Sequence, residues 1–403
     1  MSDLYEEVNP VFNTAKMTLN SLVQVGVAEA TEFEKALTEL EPQKSRFSPD
    51  EKVVSEKSVE AINNFILELR YHAANREIEL AGNGNVLDLA CGYTPRGKYL
   101  LDKGYRYVGG DLPAVIKVMN RLNEKLMNGR CTYLPVDLTN EASVLAAADK
   151  TGGPVTVTGE GVTMYLTMPE KEAMMRSIRD VLAKHGGVWI TTDFEISTYF
   201  LVIGKAMLGD NFLETLMKDR AEMNRQSDAS AKSLTLDEAK CMLDKFGFSV
   251  EKHPLWSSEL HLTRLDNCSD EIREKLVTAI KTLHIWVMRL NEGVSTEPHK
   301  AAMYGVEITH TVTEGHLSLA LRGRLDSISS PQLLELFRNV IDKQEIRRIT
   351  VSASELEYIS SAGLRVMMLM TKHVGQGNFT LKQPNESVRS IMVQTDFSDM
   401  LGL

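Results

Sequence analysis

From Asn85 onward the sequence alternates between short apolar runs and segments whose apolar residues recur at helical spacing. Asn85–Leu89, Tyr105–Gly109, Cys131–Val136, Pro154–Thr158 and Gly187–Thr192 read as strands. Gly97–Lys103, Leu112–Asn128, Ala142–Ala148 and Pro169–Lys184 read as the helices between them. Strands that alternate with helices imply a largely parallel sheet covered on both faces. The series continues with a helix at Thr235–Phe246, a strand at Phe248–His253, a helix at Asp270–Thr282 and a last strand at Leu283–Leu290.

Upstream, residues 4–80 lack strand-like runs. Ala61, Ile62, Phe65, Ile66 and Leu69 give one helix a buried face, and Asn83 and Gly84 stop it. A polar stretch, Glu41–Lys57, separates two such helical regions. Downstream, Asn291–Lys300 carries Gly293, Ser295, Thr296 and Pro298 and reads as a linker. The pattern then restarts on a smaller scale. Strands are expected at Gly305–Thr313, His316–Leu321, Ile346–Val351 and Asn378–Leu381, with helices at Pro331–Lys343, Ala362–Val374 and from Glu386. A chain of 403 residues is too long for one ordinary core. The expected division is 1–290 with a helical region 1–80, a linker 291–302, and a second domain 303–403.

A formal net charge of −10 argues against a non-specific nucleic-acid binder or a binder of anionic membranes. The longest apolar stretches, such as Tyr199–Ile203 and Val366–Met370, fall far short of the roughly 20 residues that cross a bilayer. The acidic N-terminus lacks the order of a signal peptide. Cys91, Cys131, Cys241 and Cys268 lie far apart, as reduced thiols do in a cytoplasmic protein with neither a disulfide frame nor a metal site.

The stretch most informative about chemistry is Val86-Leu87-Asp88-Leu89-Ala90-Cys91-Gly92-Tyr93-Thr94-Pro95-Arg96-Gly97, an apolar strand running into a small-residue turn. Asp111 follows the next strand and Asp137 the one after. Ligands of open parallel sheets bind at the carboxyl ends of the strands. An acid at the position of Asp111 can accept hydrogen bonds from both hydroxyls of a ribose, and Asp137 is placed to meet an adenine amino group. The three spaced glycines that cradle a pyrophosphate are absent, and Asp88 would repel one, which argues against a nicotinamide dinucleotide. An adenosyl ligand with a cationic sulfonium suits such a pocket better.

These residues resemble class I S-adenosylmethionine (SAM)-dependent methyltransferases, with an acid-and-glycine turn after strand one and acids after strands two and three. More narrowly, the chain resembles the leucine carboxyl methyltransferase and polyketide O-methyltransferase group. The matching pieces are Asp111-Leu112-Pro113, Val136-Asp137-Leu138 and Gly159-Glu160-Gly161-Val162-Thr163-Met164-Tyr165-Leu166. Arg96 matches an arginine at the end of that group's glycine turn, and Arg70 corresponds to one near the cofactor's carboxylate. The resemblance implies a Rossmann-like sheet with N-terminal helices, SAM as cofactor, and a cofactor site of Arg70, Asp88, Ala90, Gly92, Arg96, Asp111, Leu112, Asp137, Leu138 and Glu160. Ala90 and Thr94 depart from the group, which has a glycine and an acid there. A β-carbon at position 90 narrows the approach to the methionine tail.

Methyl transfer is a displacement at carbon, so catalysis is mainly alignment in a water-poor pocket. A carboxylate acceptor needs no base, whereas a hydroxyl acceptor uses one. His72, His185, His253 and His261 read as surface or packing residues. Glu160 and Tyr165, past the fourth strand, are the catalytic candidates, although Tyr165 also suits a core aromatic.

The last hundred residues hold Leu321-Arg322-Gly323-Arg324-Leu325-Asp326 and Leu356-Glu357-Tyr358-Ile359-Ser360-Ser361-Ala362-Gly363-Leu364-Arg365. Ser360 or Ser361 is a natural N-cap for the helix that follows. A phosphate there would meet free backbone N–H groups. These motifs resemble the STAS domain of sulfate transporters and anti-sigma-factor antagonists, a small α/β fold. The resemblance aligns Ser361 with a phosphorylated serine and implies a partner serine kinase and phosphatase. Two readings stand: a methyltransferase regulated by a STAS domain, or a STAS signalling protein whose methyltransferase fold is inactive or only senses SAM.

Overall fold

The computed structural model describes residues 14–40, 54–209, 234–291, 306–326 and 328–394. The expected linker from residue 292 on, the acidic N-terminus and residues 41–53 of the polar stretch lie outside them.

Seven strands form the larger sheet: β1 Asn85–Leu89, β2 Arg106–Asp111, β3 Thr132–Pro135, β4 Val155–Thr158, β5 Gly187–Thr191, β6 Phe248–Pro254 and β7 His284–Leu290. Their order is β3-β2-β1-β4-β5-β7-β6. All pairings are parallel except those of β7, which runs antiparallel to both β5 and β6. The expected Rossmann-like α/β sheet is thus present, with its switch in strand order between β1 and β4. Asp88 pairs in register with Gly109 of β2 and Thr158 of β4, and Asp111 with Pro135. That register brings the carboxyl ends of β1 to β4 level with one another on a single rim.

Two apolar cores flank the sheet. One joins Val86, Ile190 and Ile285 to the N-terminal helices Thr14–Gln24, Ala28–Leu40 and Val54–Ala81 through Leu22, Phe33 and Leu69. The other gathers Leu87, Val157, Trp189 and Trp286 with the helices Glu141–Ala148 and Met168–His185. The helix Met168–His185 starts with a capping box, in which Thr167 and Glu170 satisfy each other's backbone amides.

The run Tyr199–Ile203, noted only as too short for a membrane, belongs to a helix, Ile196–Leu208. Among the described residues no helix is long and apolar enough to cross a membrane.

The smaller sheet has the order β11-β10-β9-β8, from β8 Val306–Thr313, β9 His316–Leu325, β10 Arg348–Ile359 and β11 Phe379–Lys382. β8 and β9 are antiparallel, and β9, β10 and β11 are parallel. The helices Ser330–Ile341, Ser361–Val374 and Glu386–Gln394 complete it around a core of its own. β10 runs eight residues past the expected end at Val351. Register shifts at Ser352/Glu355 and Leu356/Tyr358 break the strict alternation that marks a strand in sequence.

Candidate active site

Asp88 lies inside β1 and is 1% exposed. Its carboxylate accepts from Tyr107 Oη at 2.8 Å and from Arg96 Nη1 at 3.1 Å. Arg96, just past the glycine turn, also donates to Asn75 Oδ1 at 2.9 Å and to Glu160 Oε2. One buried guanidinium therefore joins the first and fourth strand ends. Burial pushes the Asp88 carboxyl up, and the Arg96 charge and the Tyr107 hydrogen bond oppose that push.

Asp111, at the tip of β2, accepts from the Gly92 and Leu112 amides at 2.7 Å each. Those bonds tie the glycine turn to the second strand end. Burial raises its carboxyl to about 6. Asp137 accepts from the Thr139 amide and hydroxyl at 2.8 and 2.7 Å. It too is pushed up to about 6, by burial first and then by the charge of Asp326. In the turn itself, Ala90 has φ 57 and Gly92 φ 53. The left-handed region suits glycine, so Ala90 holds a strained conformation there.

Past β4, Gly159 makes a close approach, since a β-carbon there would stand 3.0 Å from the Leu89 carbonyl. Glu160 follows, held by Arg96 and by Thr192 Oγ1 at 3.0 Å. Arg70, from the long N-terminal helix, donates from Nε to Thr192 Oγ1 at 2.7 Å and from Nη2 to Asp193 Oδ1 at 3.2 Å. Asp193 in turn accepts from the amides of Gly161, Val162 and Thr163 at 2.5 to 2.9 Å, fixing the loop that carries Glu160.

All ten expected cofactor residues, and Tyr165, line one cavity of about 460 Å³. Among the described residues its charged lining is five carboxylates, Asp88, Asp111, Asp137, Glu160 and Glu170, against two guanidiniums, Arg70 and Arg96. No histidine among the described residues lines it. Met17, Leu22, Ile66, Met164 and Phe200 supply its apolar side. Asn75, Tyr107, Thr192 and Asp193 were not anticipated. Asp193 had a signal, since it is one more acid just past a strand end.

In the smaller domain, Ser360 is fully buried and is the N-cap, its Oγ accepting from the Gly363 amide at 3.3 Å. Ser361 opens the helix itself. Asp326 staples the turn after β9, accepting from the Ile328 and Ser329 amides at 3.1 and 2.9 Å.

A family described as Mlab, STAS domain, matches residues 308–402. BtrV of Bordetella bronchiseptica, provisionally named an anti-sigma factor antagonist, is 33% identical over 94 residues, 23% of this chain and 80% of that protein. The chain belongs to the STAS family. The STAS match accounts for residues 308–402. Among solved structures, the chain is similar to magnesium protoporphyrin IX methyltransferase (ChlM) of Synechocystis PCC 6803. Identity is 12%, coverage 66% of this chain and 95% of that one, and the TM-score 0.37. Human N-acetylserotonin methyltransferase is 9% identical, with coverage of 68% and 70% and a TM-score of 0.35. At such identity only the residues of the site speak to activity.

The STAS domain touches the cavity's rim. Arg324 Nη2 donates to the Thr139 carbonyl at 2.9 Å, and its guanidinium lies 4.1 Å above the Tyr358 ring.

Proposed function

We propose that this chain is a cytoplasmic SAM-dependent methyltransferase acting on an acceptor oxygen, of a hydroxyl or a carboxylate, with its STAS domain as a regulatory or interaction module. The observation that carries this reading is the convergence of Asp88, Asp111 and Asp137 on one cavity whose carboxylates outnumber its guanidiniums. Such a lining fits a nucleoside that bears a cationic sulfur. It fits poorly with a dinucleotide, whose pyrophosphate it would repel.

When bound, SAM supplies a methyl group on a positively charged sulfur. Asp111 would hold the ribose hydroxyls, Asp137 the adenine amino group, and Leu112 and Leu138 the faces of the base. Ala90 and Gly92 would bring backbone close to the amino-acid tail, and Arg70 and Arg96 would shape its end of the cavity. The chain's task is then to align an acceptor and exclude water, which the apolar wall of Met17, Met164 and Phe200 favours. Glu160, occupied by Arg96 and Thr192, and Tyr165 are assigned to orienting the acceptor rather than to taking its proton.

Calorimetric titration with SAM, on the wild type and on Asp111→Ala, tests the reading. Binding lost in the variant supports it, and no binding by the wild type overturns it. The occupied Glu160 also favours a second reading, a SAM-sensing signalling protein. Release of S-adenosylhomocysteine in the presence of candidate acceptors separates catalysis from sensing. Phosphorylation of Ser361 by a partner serine kinase, reversed by a phosphatase, belongs to the same proposal. Mass spectrometry of wild type and Ser361→Ala protein after kinase treatment decides it.

A further inference from the structure

The Asp137–Thr139 segment has two faces. Asp137, Leu138 and Thr139 line the cavity on one, while the other meets the ends of β9 and β10. Among the described residues no STAS residue lines the cavity, and this segment is where that domain meets its rim through a hydrogen bond. The contact is dry: Asp137 and Asp326 are each 2% exposed, Thr139 5% and Tyr358 7%. Asp326 is satisfied by its own turn, through the amides of Ile328 and Ser329. Arg324 reaches across with a hydrogen bond to the Thr139 carbonyl, its guanidinium stacked on Tyr358.

We propose that Arg324 is a positioning residue for the cavity, fixing the Asp137–Thr139 rim from the STAS domain so that domain docking and nucleoside binding are coupled. The inference rests on the reading of the cavity as a SAM site. Two effects act in one direction. The hydrogen bond to the Thr139 carbonyl restricts the loop, so Asp137 is pre-set rather than ordered on binding. Among the described residues, the groups facing Asp137 include Asp326, Thr139 and Arg324, with the Tyr358 phenol beside them. Asp326 opposes its ionised form, whereas Arg324 and Thr139 favour it. An ionised Asp137 is the better acceptor for an amino group. Because coupling is reciprocal, a ligand on Asp137 strengthens docking as much as docking strengthens the ligand.

The experiment uses the full chain as wild type, Arg324→Lys and Arg324→Met, the last keeping an apolar stem against Tyr358. Hydrogen exchange of residues 137–140 in the ligand-free protein reads the clamp. Calorimetry with SAM from pH 5 to pH 8 reads its consequence. Arg324→Met is expected to speed exchange in that loop with the STAS core unchanged, and to weaken SAM about tenfold. It also moves the acid limb of the affinity profile to higher pH, and Arg324→Lys partly restores that limb. A role in folding alone would not move it. SAM binding with the same strength and pH profile in all three proteins overturns the coupling, as does unchanged exchange at 137–140. Failure of the wild type to bind SAM at any pH instead overturns the cavity reading on which the coupling stands.

Discussion

Arg96 donates to Asp88 at 3.1 Å with both side chains at most 3% exposed, and the same guanidinium reaches Glu160. One cation thus holds a buried carboxylate and a half-buried one at neighbouring strand ends. Removing it leaves the buried Asp88 without its cation, while Glu160 keeps Thr192 and Arg70. Arg96→Met is expected to lower the stability of the larger domain by about 3–5 kcal/mol, the usual cost of leaving a buried ion partner uncompensated. Thermal or denaturant unfolding of the two proteins checks it.

Asp111 and Asp137 both titrate near 6, raised by burial from an ordinary 3.8. The ligand-free fold holds these protons longer than the unfolded chain does. Their stabilising contribution is therefore full below about pH 4 and lost as pH rises through about 6. Ligand binding has the opposite sign, because acceptance from hydroxyls and an amino group needs the ionised form. SAM affinity is expected to be level above about pH 7. Below pH 6 it should fall about tenfold per unit for each carboxylate that must ionise. Affinity that is flat from pH 5 to pH 8 would contradict this.

Ala90 sits at φ 57, where a β-carbon crowds the following carbonyl. Ala90→Gly relieves that strain but adds freedom to the unfolded chain. The net expectation is a gain of about 0.5–1 kcal/mol, with SAM binding retained or tightened. Chemical denaturation paired with calorimetry measures both.

Gly363 lets the helix that starts at Ser361 pack on the sheet. A β-carbon there would stand 2.8 Å from both the Leu325 carbonyl and Ile359 Cγ1. Gly363→Ala is expected to destabilise the STAS domain by about 1–3 kcal/mol through overpacking. Hydrogen exchange resolved by peptide should show the loss in β9 and β10 and not in β1 or β4.

The alternation of strands and helices, the acids at the ends of β1 and β2 and past β3, and the motifs around Gly323 and Ser360 were legible because each is written in local spacing. The helix Ile196–Leu208 was not. Only Tyr199, Ile203 and Gly204 are buried along it, and Leu201 and Leu208 remain exposed, so it lacks the two-faced pattern that marks a surface helix. The far half of β10 was hidden by its register shifts, which displace the alternation mid-strand.

The sequence by itself determined the order of elements and which side chains stand at the strand ends, since both follow from periods of two and 3.6 residues. Only the tertiary structure decided which partner each of those side chains takes. Arg96 meets Glu160 across 64 positions and Arg324 meets Thr139 across 185. Such pairings depend on where the sheet register and the docking of two domains bring distant backbone together. No local spacing encodes that.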